Sequence, residues 1–277
     1  MLSSIALASL FARPLLPRID AGTMLSQAMT AVVEGSKDAI ATTDVGFKPG
    51  ISVLGAYVRA GDKVKFSSTF EGGRRYIVAA GGNDSAEDID VAILDEDGKT
   101  LAKDDTTDAY AVAAMDSTEK QKVSYVVTNS GSKAAFVCVA VLTNKQGWAV
   151  HSDNLSAVIS RCKKLSDFTK KEGYRFYTHK GSWCLFGGLV EQGKSMKTVK
   201  LAITAGDHAV IGFSDDQAEV LNLALTNEDG DAIGGDTSKD NFPVFDFPSG
   251  YSGPTDIELI NAKGGASFSM FGIFEKA

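Results

Sequence analysis

A constant displacement of 132 residues runs through this 277-residue chain. The stretch AEDIDVAILDEDGKTLAKD, beginning at Ala86, returns as AEVLNLALTNEDGDAIGGD, beginning at Ala218. Ahead of it, Gly55, Val58, Gly61 and Lys65 map onto Gly187, Val190, Gly193 and Lys197. Behind it, Asn129, Ala134 and Phe136 map onto Asn261, Ala266 and Phe268 at the same displacement. Solenoid and propeller repeats run roughly 20–50 residues, so a period this long describes a tandem domain, and each copy must bury a core of its own. The reading divides the chain into a leader over residues 1–22, a first unit over 23–145 and a second over 146–277.

Inside a unit the apolar pattern has period two. In KAAFVCVAVL, Phe136, Cys138, Ala140 and Leu142 alternate with Val137, Val139 and Val141, the signature of a strand. SVLGAYV, YIVAAG, DIDVAIL, YAVAAM and VSYVVT read the same way. Gly72-Gly73, Gly81-Gly82-Asn83, Asp97-Gly98 and Ser130-Gly131 supply the turn chemistry between them. Seven or eight short strands at this spacing predict a mainly β chain of two tandem β-sandwiches of jelly-roll or Greek-key type.

A helix is expected before each sandwich. In DNLSAVISRCKKLSDFTKKEG, Leu155, Val158, Ile159, Cys162, Leu165 and Phe168 share one face at 3.6 periodicity, with Ser152 or Asp153 to cap the start. In TMLSQAMTAVVEGSK the stripe is Leu25, Ala28, Met29, Val32 and Val33. The linker between units is expected over residues 144–152.

A net charge of −7 argues against nucleic acid and anionic membranes as partners. The opening MLSSIALASLFARPLLPR carries about a dozen apolar residues, the length of a secretory h-region and short of the roughly 20 a membrane span needs. A secreted or periplasmic location is therefore expected, with no membrane span. Three cysteines, Cys138, Cys162 and Cys184, lack the CxxC spacing of zinc or redox sites and read as small buried hydrophobes, a Cys162–Cys184 bridge being the alternative.

The run YIVAAGGNDSAEDIDVAILDEDGKTLAKDD, followed by VSYVVTNSGSKAAFVCVAVL, resembles the bacterial pre-peptidase C-terminal domain, a secreted β-sandwich. The resemblance rests on the Tyr76 strand, the Asp88-x-Asp90 strand, the Asp95-x-Asp97-Gly98 hairpin and the Tyr125 strand, about 70 residues in each half. It implies a noncatalytic module with roles in secretion or in substrate or surface binding, and in some members calcium binding.

Asp84, Glu87, Asp88, Asp90, Asp95, Asp97, Asp104, Asp105 and Asp108 offer the many oxygens that calcium takes. Asp88 and Asp90 point to one face of a strand. At the repeat displacement, however, Asp88 becomes Val220, Asp90 becomes Asn222 and Asp95 becomes Asn227, whereas Glu96, Asp97, Gly98 and Asp104 persist as Glu228, Asp229, Gly230 and Asp236. The persistent part is what a hairpin needs, a type I′ turn at Asp-Gly being expected. A calcium site of Asp88, Asp90, Asp95 and Asp97 is thus confined to the first unit.

No catalytic constellation stands out. His208 falls at the place of Arg75 or Tyr76 and His179 at that of Phe47, so neither histidine is shared, and His151 lies in the linker. SGYSGP, from Ser249 to Pro254, lacks the spacing of a nucleophile elbow. Trp183 aligns with Ile51 as a core residue, Trp148 lies in the linker, and Tyr251, in a loop, is the one aromatic placed to stack on a ligand. The expectation is a noncatalytic exported binding or structural module with a protein or carbohydrate surface as partner and no cofactor beyond calcium. The alternatives are a calcium-stabilised carbohydrate or surface adhesin, and a hydrolase with a cleft between the units.

Overall fold

A computed structural model describes residues 21–41, 45–145, 161, 164–165 and 167–276. The chain is mainly β, in antiparallel sheets. Helix α1 spans Ala21–Ala41. The first half then carries β1 (Gly46–Phe47), β2 (Val53–Val58), β3 (Lys63–Phe70), β4 (Arg74–Gly82), β5 (Ile89–Leu94), β6 (Thr100–Asp104), β7 (Tyr110–Ser117), β8 (Gln121–Asn129) and β9 (Ala135–Thr143). The second half carries β10 (Tyr174–Phe176), β11 (Leu185–Val190), β12 (Ser195–Ile203), β13 (His208–Ser214), β14 (Ala218–Asn227), β15 (Ala232–Asp236), β16 (Val244–Asp246), β17 (Gly253–Gly264) and β18 (Ser267–Lys276).

Strand order is the same in both halves. β7-β4-β9-β2 faces β6-β5-β8-β3, and β16-β13-β18-β11 faces β15-β14-β17-β12. Successive strands from β2 to β5 alternate between the two sheets, as in the eight-stranded jelly roll. β5 buries every second residue, one face on the core and one outward. β9 is buried at all nine positions, because α1 lies on β4, β9 and β7 and covers the far face of that sheet. Both sides of a period-two strand are therefore apolar here, as expected for a sheet covered on both faces.

Leu25, Ala28, Met29 and Val32 of α1 are buried as expected, whereas Val33, expected in the same stripe, is 46% exposed. The helix sits so close to β4 that a Cβ on Gly81 would come within 2.5 Å of the Val32 backbone nitrogen. Of the second predicted helix, residues 161, 164–165 and 167–172 are helical. Leu165 is fully buried there, and Phe168 meets Phe242 edge-on at 5.8 Å. Leu155, Val158, Ile159, Cys162, Trp148 and His151 lie outside the described residues.

The halves also share a sheet, which the sequence did not predict. β2 and β11 pair antiparallel and fuse their sheets into one of ten strands. The partners are Gly55 with Leu185, Leu54 with Phe186 and Val53 with Gly187. Exchanging each residue for its repeat mate returns the same pairing, so the junction is isologous, like the interface of a twofold dimer. Ser52 N donates to Gly187 O at 2.9 Å, and its mate Cys184 N donates to Gly55 O at 2.8 Å. Aromatic contacts cross reciprocally as well: Phe47 meets Phe268 at 4.9 Å and Phe176 meets Phe136 at 4.4 Å.

That reciprocity corrects one alignment. Phe176, rather than His179, is the counterpart of Phe47, since Phe47 pairs with Leu142 as Phe176 pairs with Phe274. Five residues (48–52) link β1 to β2, whereas eight (177–184) link β10 to β11. The second half therefore carries three additional residues at the junction.

Candidate functional site

The acidic stretch forms a hairpin in both halves. Asp95 N donates to Lys99 O, Gly98 N donates to Asp95 O at 3.1 Å, and Lys99 N donates to the Asp95 carboxylate at 2.8 Å. Asn227, Gly230 and Asp231 repeat these bonds. The turn differs from the expected type I′. Only Gly98 and Gly230 have positive φ, 82° and 87°, and each β-ladder shifts register beside the turn. This is a type I turn closed by a glycine bulge, in which Asp97 and Asp229 need no left-handed backbone.

Asp104 and Asp236 hold the sandwich edges. Each carboxylate reaches from the small sheet to an edge strand of the large one and accepts a backbone N–H, from Val112 and from Val244, at 2.8 Å in both cases. Burial alone would raise these carboxyls. The N–H groups of Val112 and Thr106, and of Ser238 and Val244, hold both below the usual carboxylate value. An acid with a lowered folded-state pKa stabilises the fold in full above about pH 4, and that contribution disappears as pH falls through the folded value. Asp104→Ala should cost about 1–3 kcal/mol at pH 7 by leaving the Val112 N–H unpaired. The penalty should shrink in urea titrations carried below pH 4, and a penalty independent of pH would refute this role.

The four aspartates expected to bind calcium are not brought together. Asp88 and Asp90 lie at the start of β5, where Ser130 Oγ donates to Asp90 Oδ2. Asp95 and Asp97 lie in the turn beyond its other end, about 16 Å away at some 3.3 Å per residue. Asp88 does face Asp90 and Asp108: burial first, then those two charges, raise its carboxyl, and Asp88 Oδ1 is buried without a hydrogen-bond partner. Among the described residues no group of three or more His, Cys, Asp or Glu side chains has the arrangement a metal ion requires. The residues therefore do not fit calcium as a set. A cation at a hundred times its Kd would raise stability by about 2.7 kcal/mol. We expect no change in Tm between EDTA and millimolar calcium, and a rise of several degrees with calcium would overturn that expectation.

The remaining sequence candidates separate. Tyr251 is half-buried, stacks on Phe247 at 5.3 Å and shares a hydrogen bond with Thr255 Oγ1 at 3.0 Å, so it packs the loop before β17 rather than standing free. His208 is buried, its Nε2 against Thr204 O at 2.9 Å. His179 is exposed and stacks on Tyr177 at 5.8 Å. Among the described residues neither histidine hydrogen-bonds a serine hydroxyl or a carboxylate. Ser249 to Ser252 form a loop, as expected. Cys138 and Cys184 are free and buried, so Cys184 forms no bridge to Cys162, and burial pushes the Cys184 thiol up.

Sequence reasoning missed the loop that the three additional residues lengthen. His179 to Ser182 make a β-turn, Ser182 N donating to His179 O at 3.2 Å with Gly181 at φ 75°. Lys180 Nζ reaches Asp62 Oδ1 of the first half at 2.8 Å, and Trp183 Nε1 donates to Lys65 O of the edge strand β3 at 2.9 Å. Trp183 is buried, as expected, but across the junction rather than inside its own half. Below this turn lies a cavity of about 190 Å³ lined by Tyr177, Gly181, Ser182, Trp183, Lys200, Leu201, Ala202 and Ile273. The signal that could have found it is the break in the 132-residue displacement between Phe176 and Leu185.

No family model matches the chain, and no curated protein matches it. Among solved structures it is similar to the M60 catalytic domain with the CBM51-1 and CBM51-2 domains from Clostridium perfringens ZmpB, at 7% identity and a TM-score of 0.27. That match covers 84% of this chain and only 37% of the other. It is also similar to the PBSX exported protein XepA, at 12% identity and a TM-score of 0.27, over 81% of this chain and 86% of that one. The CBM22-1–CBM22-2 tandem of Paenibacillus barcinonensis Xyn10C is similar at 11% identity and a TM-score of 0.22, over 83% and 93% of the two chains. No described helix is long and apolar enough to cross a membrane.

Proposed function

We propose that the chain is a noncatalytic exported module that binds a protein or carbohydrate surface, formed by duplication of a jelly roll similar to pre-peptidase C-terminal domains. One observation carries this reading. The buried or half-buried polar side chains that recur in the two halves act on backbone groups rather than on one another. Asn129 and Asn261 each donate to two carbonyls. Asn83 and Asp215 accept the N–H of Phe136 and Phe268. Asp104 and Asp236 accept those of Val112 and Val244. What the repeat preserves is thus the scaffold, and any ligand is met by features peculiar to one half.

The test is cosedimentation of the full chain with insoluble neutral and acidic polysaccharides, beside turnover assays on chromogenic ester, glycoside and peptide substrates. Retention on a polysaccharide without turnover is the expected result. Turnover that scales with protein and disappears in His179→Ala or Ser182→Ala would replace the module reading with the hydrolase one. Fractionation of cells expressing the full chain should place it outside the cytoplasm.

A further inference from the structure

Two departures of the second half from the first meet at the same cavity. One is the lengthened 177–184 loop. The other is in β12. In the first half β3 pairs with β8 residue by residue from Lys63 to Phe70. In the second, the β12–β17 register slips between Thr198 and Leu201, and the two residues bulged out are Val199 and Lys200. Lys200 adopts φ 54°, a left-handed conformation unfavourable for a residue with a Cβ. Val199 is left 64% exposed. The corresponding Ser67 and Ser68 pair in register with Ser124 and Val123, and neither has a positive φ.

The bulge is held deliberately. Asp256, at the position of Ser124, accepts the Lys200 N–H at 2.8 Å and pairs with Lys197 Nζ at 3.0 Å. Bulges re-aim side chains beside binding sites, and backbone strain of this kind concentrates there. Lys200 of the bulge and Leu201 beside it line the cavity together with Ser182 and Trp183.

The lining is specific in its chemistry. Trp183 Nε1 and the Tyr177 hydroxyl are already engaged, the latter with Ala202 O and Thr204 Oγ1, so these residues offer the cavity mainly their rings. Ser182 Oγ and Lys200 Nζ carry no hydrogen bond or ion pair among the described residues. The residues lining these roughly 190 Å³ thus include one with a hydroxyl, one with an ammonium and two with aromatic rings. Pockets for drug-sized ligands start at roughly 300 Å³, so the occupant is smaller, of the order of one sugar ring.

We propose that this cavity binds a single carboxylated sugar ring, its carboxylate on Lys200, a hydroxyl on Ser182 and its C–H face against Trp183 and Tyr177. The proposal rests on the module reading and names its ligand. It is tested by ligand-observed NMR titration of the full chain with D-glucuronate, D-glucose and benzoate. Glucuronate should bind with a Kd on the order of 1 mM, as expected of so few atoms. Glucose, without the carboxylate, and benzoate, without the hydroxyls, should each bind at least tenfold more weakly.

Lys200→Met keeps the Cβ and the bulge, and should weaken glucuronate at least tenfold while circular dichroism stays unchanged. Lys197→Met, whose ammonium lies on Asp256, should bind as wild type does. No glucuronate binding, equal binding by Lys200→Met, or benzoate binding as well as glucuronate would each overturn the proposal. A chain that sediments with polysaccharide yet ignores glucuronate loses the cavity assignment and keeps the module reading. Substrate turnover removes the module reading, and the titration still decides whether the cavity binds the sugar acid.

Discussion

Phe176→Ala lowers the unfolding free energy of the chain by about 3–5 kcal/mol, the usual cost of deleting a buried phenyl ring. Phe176 is 3% exposed and its ring touches two others, Phe136 of the first half at 4.4 Å and Phe274 of its own at 4.9 Å. Phe47 makes the reciprocal contact with Phe268, so Phe47→Ala carries a penalty of the same order. Phe176→Leu restores most of the volume and should recover more than half of the loss. Urea unfolding followed by circular dichroism measures each. A Phe176→Ala penalty under about 1 kcal/mol would mean that the junction is not held by these rings, leaving it to the short β2–β11 ladder.

The second large effect is expected at a pair of buried amides. Asn129 and Asn261 are both 0% exposed. Asn129 Nδ2 donates to Val58 O at 2.9 Å and Lys133 O at 2.8 Å, and Asn261 Nδ2 donates to Val190 O at 3.0 Å and Gly265 O at 2.7 Å. Alanine at either position strands two carbonyls, at about 1–3 kcal/mol for each buried group left without a partner, so about 2–4 kcal/mol after relaxation. Aspartate is worse than alanine, because it sets a carboxylate against those same carbonyls. The sites share no partner, so the double alanine variant should show the sum of the single penalties. Asn129→Ala should cost slightly more, since Asn129 Oδ1 also accepts the Gly131 N–H at 3.2 Å. If Asn129→Asp proves as stable as wild type, the amide is not acting as a double donor.

These two predictions separate what is local from what is not. The strands were legible because a period of two is written in adjacent residues, as in Ile89, Val91 and Ile93. The hairpin was legible from Asp97-Gly98, although its turn type was not, because type I′ and type I with a glycine bulge both accept a glycine directly after an aspartate. The asparagines could be located as repeat mates, while their carbonyl partners Val58 and Val190, each 71 residues away, could not. The separation of the four aspartates has a related reason. Four aspartates within ten residues of sequence are spread by an extended strand rather than gathered.

By itself, then, the sequence determined the 132-residue displacement, the mainly β sandwich class, the helix ahead of the first strands and the hairpins. All of these rest on spacing within one copy or on comparison between copies. Only the tertiary structure decided that β2 and β11 join the two copies, that Phe176 answers Phe47, and that Trp183 reaches Lys65 O 118 residues away. Edge pairing is made by backbone N–H and C=O groups, which every residue other than proline carries, so no side-chain pattern announces it. The cavity depends in turn on that junction and on a bulge at Lys200, and both arise where the second copy ceases to follow the first.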